Sequence, residues 1–238
     1  MKLIPALVAA CTLAAPLHAQ GFEASRMTLE FYNAAEEDDV EASYATALGD
    51  TSYLFLPRVG LQLGIAGSAQ LYASQDFIEE DTEYAVSAHA FYDVTPDIRV
   101  GLLVGADTYN EVDLLAAIEG IYLSGPLRTE ARLGSYASDE DPAILIEASG
   151  SYLVTNEFDV RAAYQRLNYD GDTGYFSLAS IGGGYRITDT VTGYGGIGSI
   201  TNDFGGGESY SGTQLTVGLN IAIGSRPNPM MFTFNPFF

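Results

Sequence analysis

Charged side chains recur inside otherwise apolar stretches of this sequence, and their spacing gives the first hint of chemistry. Glu119, Arg132, Glu147, Arg161 and Arg186 each occupy the polar register of a segment whose alternate residues are apolar, as do Glu30, Glu41, His89, Arg99 and Asp113. Glu119 and Arg132 lie about level across Ser124-Gly125-Pro126, and Arg132 and Glu147 stand at matched distances from the acids at 139–141. Arg161 is expected near Glu147 across the next turn. The spacing predicts a Glu–Arg–Glu–Arg row along one wall, which could sort ions or small solutes if it borders water. A network that merely satisfies buried charges explains the same pattern.

Other chemistries fit less well. A hydrolase needs a histidine aimed at a nucleophile and held by a third group, and His89 among scattered serines offers no such spacing. One histidine does not make a metal centre either. No catalytic residue, metal or cofactor is therefore expected. Gly193-Tyr194-Gly195-Gly196-Ile197-Gly198 spells a dinucleotide-binding pattern, but no helical segment follows it, and the glycines suit a crowded strand. Asn168 to Gly174 has part of a calcium-loop spacing, yet Ala179 stands where the distal glutamate belongs. A plain solvated loop explains it better, with weak binding of divalent cations at the acidic loops as the alternative.

The elements that position these residues follow from composition and period. The 238 residues carry 31 acids against 10 lysines and arginines, for a net charge of −21, which excludes a nucleic-acid partner. Met1-Lys2, an apolar run from Leu3 to Leu17, and Leu17-His18-Ala19 predict a signal peptide over 1–19. Val8-Ala9-Ala10-Cys11 resembles a lipoprotein box, but apolar residues continue past Cys11 and favour ordinary cleavage after Ala19. Cleavage would remove the only cysteine and the only lysine. No later stretch is long and apolar enough for a spanning helix.

Beyond that leader nearly every segment alternates with period two. Val59, Leu61, Leu63 and Ile65 interleave with Gly60, Gln62, Gly64 and Ala66. The pattern predicts strands near 26–34, 40–48, 58–73, 83–94, 98–108, 112–123, 128–137, 143–154, 158–168, 174–187, 191–201 and 211–223. Tight turns at Thr95-Pro96-Asp97, Ser124-Gly125-Pro126, Thr155-Asn156-Glu157 and Thr188-Asp189-Thr190 alternate with acidic loops at 36–39, 75–82, 139–141, 170–172 and 202–210. Tyr92, Tyr122, Tyr152 and Tyr185 lie on the apolar face just before tight turns, as an aromatic belt at a membrane interface would. The expected class is all-β: a transmembrane up-and-down antiparallel barrel over 20–224, with about twelve strands (ten to fourteen fit) and a tail over 225–238.

On these features the chain resembles the outer-membrane β-barrel proteins of Gram-negative bacteria. Thr216, Gly218, Ile221 and Ile223 resemble the assembly signal of that superfamily's last strand. The tail departs from it: Pro229 and Pro236 make a poor strand, so a periplasmic extension or a segment folded into the barrel mouth is expected. The resemblance implies export to the outer membrane, contact with lipid and lipopolysaccharide, and insertion by the barrel-assembly machinery. Together with the acidic balance and the charged inner wall, it points to passive, cation-preferring diffusion of small solutes. A closed structural or adhesion barrel is the alternative, and a lipid-modifying enzyme comes third.

Overall fold

A computed structural model describes residues 22–35, 41–73, 78–108, 113–137, 142–169, 174–203, 205, 209–224 and 231–233. The expected leader over 1–19 and the acids of the loops at 36–39, 139–141 and 170–172 lie outside these residues, as does the side chain of Glu41. The described strands are β1 (Phe22–Ala35), β2 (Glu41–Leu56), β3 (Val59–Ala73), β4 (Ile78–Thr95), β5 (Ile98–Asp107), β6 (Asp113–Ser124), β7 (Leu127–Ala137), β8 (Ala143–Leu153), β9 (Phe158–Tyr169), β10 (Tyr175–Arg186), β11 (Val191–Asp203) and β12 (Ser209–Gly224). Each pairs with its sequence neighbours, and β1 pairs with β12 to close the barrel. Closure leaves no edge with unpaired backbone groups, which a sheet in hydrocarbon requires.

Period two places the side chains. In β4, Glu83, Ala85, Ser87, His89, Phe91 and Asp93 are buried inward, while Tyr84, Val86, Tyr92 and Val94 are exposed on the outside. Leu102, Val104 and Ile118 on neighbouring strands are 58–61% exposed, and Val217 on β12 is 60% exposed. Apolar surface on this scale is an aggregation hazard in water and is at home in lipid. Among the described residues no helix is long and apolar enough to cross a membrane.

Several strands exceed their expected bounds: β1 begins at Phe22, and two others extend further. β2 continues through Gly49-Asp50-Thr51-Ser52 to Leu56, and β4 begins at Ile78. Polar residues suggest a loop by hydropathy, but in this barrel they face inward: Asp50 accepts from Arg26, and Ser52 donates to Glu23 at 2.8 Å. The tight turns share one end of the barrel with the start of β1 and the end of β12, since Ala24 pairs with Gly224 and Phe22 with Tyr53. At one of them Gly125 adopts a positive φ of 56°, which a Cβ would disfavour.

Inside the barrel the apolar packing is one-sided. Leu48, Ala66, Ala85, Leu103, Leu115, Ala117 and Leu145 form one cluster, joined by Tyr136 and Leu167. Phe91, Ile121 and Phe232 form a second, with Leu54 and Leu123 against it. Phe232 belongs to the tail.

Candidate functional site

Antiparallel register brings part of the expected charge row together. Glu119 stands opposite Arg132, and Arg132 opposite Glu147. Arg132 Nη2 lies 3.1 Å from Glu119 Oε2, and its Nη1 lies 2.7 Å from Glu147 Oε2. Glu119 also reaches His89, with Oε1 2.6 Å from Nδ1. Arg161 is not beside Glu147. Its register partner is Ser151, Glu147 faces Gln165, and the guanidinium binds Asp159 on its own strand. Arg186 is further away again, exposed at the tight-turn end opposite Thr192. Of the expected row, Glu119, Arg132 and Glu147 come together, and His89 joins them through Glu119.

Further charged groups line the interior. Arg99, with no measurable exposure, lies 2.9 Å from Glu23 and 2.6 Å from Asp93, and its guanidinium is 3.6 Å from the centre of the Phe91 ring. Arg26 meets Asp50 at 2.8 Å. Glu130 lies 3.4 Å from Arg128 and 3.5 Å from Arg132. Glu30 accepts from Tyr32 and from Tyr194. Sequence reasoning singled out few of these. Strict parity would have found most of them, because Arg26 shares a register with Thr28 and Glu30, and Glu130 shares one with Arg132; Glu23 breaks parity at the register shift between Phe22 and Ala24.

The tail enters this network. Phe232 is fully buried, and its ring stacks on His89 with centroids 5.6 Å apart and planes 5° apart. A Cβ on Gly101 would lie 2.9 Å from that ring, so the wall needs glycine there. The Phe232 N–H donates to Gln62 Oε1 at 2.8 Å, and its carbonyl accepts from Gln62 Nε2 and from Arg26 Nη2, each at 2.7 Å. The Thr233 N–H donates to Glu130 Oε1 at 2.7 Å. Arg128 and Arg132 donate to the carbonyls of Met231 and Thr233. Of the two expected placements of the tail, residues 231–233 take the one within the barrel.

Beside the tail a cavity of about 490 Å³ remains. Its walls come from β1, β2 and β7 to β12, and include Thr28, Ser149, Ser180, Gln214 and Thr216, with Met231 and Thr233 on the tail side. Small residues keep it open. Gly182 faces Gly196 across β10 and β11, where a Cβ on Gly196 would lie 2.8 Å from the Ile181 carbonyl. The glycine pattern at 193–198 thus lies within a strand and serves close strand packing. Glu30, Glu130 and Glu147 border the same cavity, as do Arg26, Arg128 and Arg161.

The outer face holds the expected tyrosines. Tyr92, Tyr122, Tyr152 and Tyr185 are 45–54% exposed near the tight-turn end. Tyr92 and Tyr122 flank β5 opposite Val100 and Ile98, and Tyr152 and Tyr185 flank β9 opposite Val160 and Phe158. On β12, Thr216 and Gly218 fall in the inward register, and Ile221 and Ile223 in the outward one. A Cβ on Gly218 would meet the Tyr194 ring at 2.4 Å, so glycine there seats the tyrosine that holds Glu30.

A closed, charged-lumen, twelve-stranded barrel with an apolar exterior has the fold of outer-membrane channels. Among solved structures it resembles the COG4313 outer membrane channel from Pseudomonas putida F1, with TM-score 0.62 and 10% identity over 88% of this chain and 98% of that one. It also resembles the NanC porin, with TM-score 0.59 and 10% identity over 81% and 98%. For the KdgM porin the TM-score is 0.55, with 11% identity over 82% and 98%. No protein-family model matches the chain, and no curated protein sequence does. At such low identity the likeness concerns the fold.

Proposed function

We propose that this protein is a narrow, porin-like channel of the outer membrane that passes small solutes passively and prefers cations. The observation that carries this reading is the cavity of about 490 Å³ beside the tail, bordered by Glu30, Asp50, Glu130 and Glu147. Carboxylates dominate the interior: Glu23, Glu30, Asp50, Glu83, Asp93, Asp107, Glu119, Glu130, Glu147 and Asp159 face it, against Arg26, Arg99, Arg128, Arg132 and Arg161. Such an excess in a low-dielectric enclosure raises the local concentration of cations and repels anions. The apolar exterior and tyrosine belt suit lipid and lipopolysaccharide, and β12 suits recognition by the assembly machinery as an added strand.

One observation favours a second reading. Residues 231–233 fill part of the lumen, as a closed structural or adhesion barrel would require. Recording in planar bilayers separates the two. Small conductance steps, with a reversal potential of cation-preferring sign in a salt gradient, are expected from folded protein. Absence of steps removes the channel reading.

A further inference from the structure

We propose that the lumen contains a binding site for an extended peptide bearing an aromatic residue, which the chain's own tail occupies. The grip on residues 231–233 is mostly on main-chain atoms. Gln62 pairs with both the N–H and the carbonyl of Phe232, and Glu130 takes the N–H of Thr233. Arginines reach the carbonyls of Met231, Phe232 and Thr233. Any extended peptide offers these groups, so selection falls on the slot formed by His89 and Gly101, which takes a flat ring. Recognition of this kind combines backbone hydrogen bonds for affinity with a side-chain pocket for specificity.

The site is also built to survive emptying. Each charged group that holds the tail has a second partner in the wall. Arg26 keeps Asp50 at 2.8 Å, Arg132 keeps Glu119 and Glu147, and Glu130 keeps Arg128 and Arg132. His89 keeps Glu119, and Gln62 keeps Asp50 at 3.3 Å. Departure of the tail therefore strands no buried charge, the usual reason such an interior element cannot leave.

The test uses a fluorescein-labelled peptide, Met-Met-Phe-Thr-Phe amide, and the full chain in detergent, so it does not depend on whether the barrel conducts. In Phe232→Ala the tail keeps its main-chain hydrogen bonds but vacates the ring slot beside His89, so a peptide that brings a ring should displace it, and fluorescence anisotropy should show saturable peptide binding. Wild-type protein, whose site is filled, should bind at least roughly tenfold more weakly, as should the peptide with Ala for its central Phe. A folded Phe232→Ala barrel, judged by heat-modifiable gel migration, that binds neither peptide or binds both equally overturns the proposal. Should that variant not fold, Met231→Trp serves instead, since the chain has no tryptophan. Its emission should start blue-shifted and move saturably to the red on addition of unlabelled peptide. Emission that never moves overturns the proposal as well.

Discussion

The inner walls of β3–β7 and of β9–β12 follow one strand period, yet one side of the lumen is filled and the other is open. From the first, Phe91, Leu103, Leu115 and Ile121 reach inward and pack, with Phe232 of the tail completing the layer. From the second, Ala163, Ser180, Gly182, Gly196 and Thr216 face the axis and leave space. Strand number sets the radius of a barrel, but side-chain volume decides whether a barrel of this radius encloses a path. The charges differ in the same way. On the filled side Arg99 and Arg132 are almost fully enclosed by carboxylates, whereas Arg161 beside the cavity is only half-buried with Asp159.

Substitutions that treat the two sides as equivalent should expose the contrast. The largest effect is expected for Arg132→Ala, which strips Glu119 and Glu147 of their shared partner. Denaturant unfolding in detergent should show a loss of about 3–5 kcal/mol, whereas Arg161→Ala should cost less than about 1 kcal/mol. Next comes Leu103→Ala, which opens a cavity in the packed layer and should cost about 2–5 kcal/mol. Its counterpart on the open side, Ser180→Ala, should stay within about 0.5 kcal/mol of wild type. The smallest effect is one of selectivity. Glu147→Gln keeps the shape of the wall while removing a charge beside the cavity, and the cation-to-anion permeability ratio should fall by roughly twofold with conductance little changed.

Much of the barrel was legible because an apolar exterior and an interior that holds the charged groups impose strict alternation. Strand number, the tight turns and the outward tyrosines could all be read from it. Arg132 with Glu119 and Glu147 was legible too, since antiparallel pairing across a short turn fixes which residues meet. Arg161 was misplaced because its register with β8 puts it opposite Ser151 rather than Glu147. The second half of β2 was hidden for the opposite reason. Asp50 and Ser52 look like loop residues, and only a closed barrel, bringing Arg26 and Glu23 to them, makes them interior. Phe232 left no local signal at all. Its partners Gln62, His89 and Gly101 come from three other strands, and nothing within the tail's own sequence points to them.

The division of the lumen can be tested at single residues while current is recorded. Ser180→Cys places a thiol in the open cavity, and Ala85→Cys places one in the packed layer. Bulky thiol reagents added in a planar bilayer should step the current down in Ser180→Cys and leave Ala85→Cys unchanged. Current that is indifferent to modification at 180 would mean that ions take another route, and the open side would not be the channel.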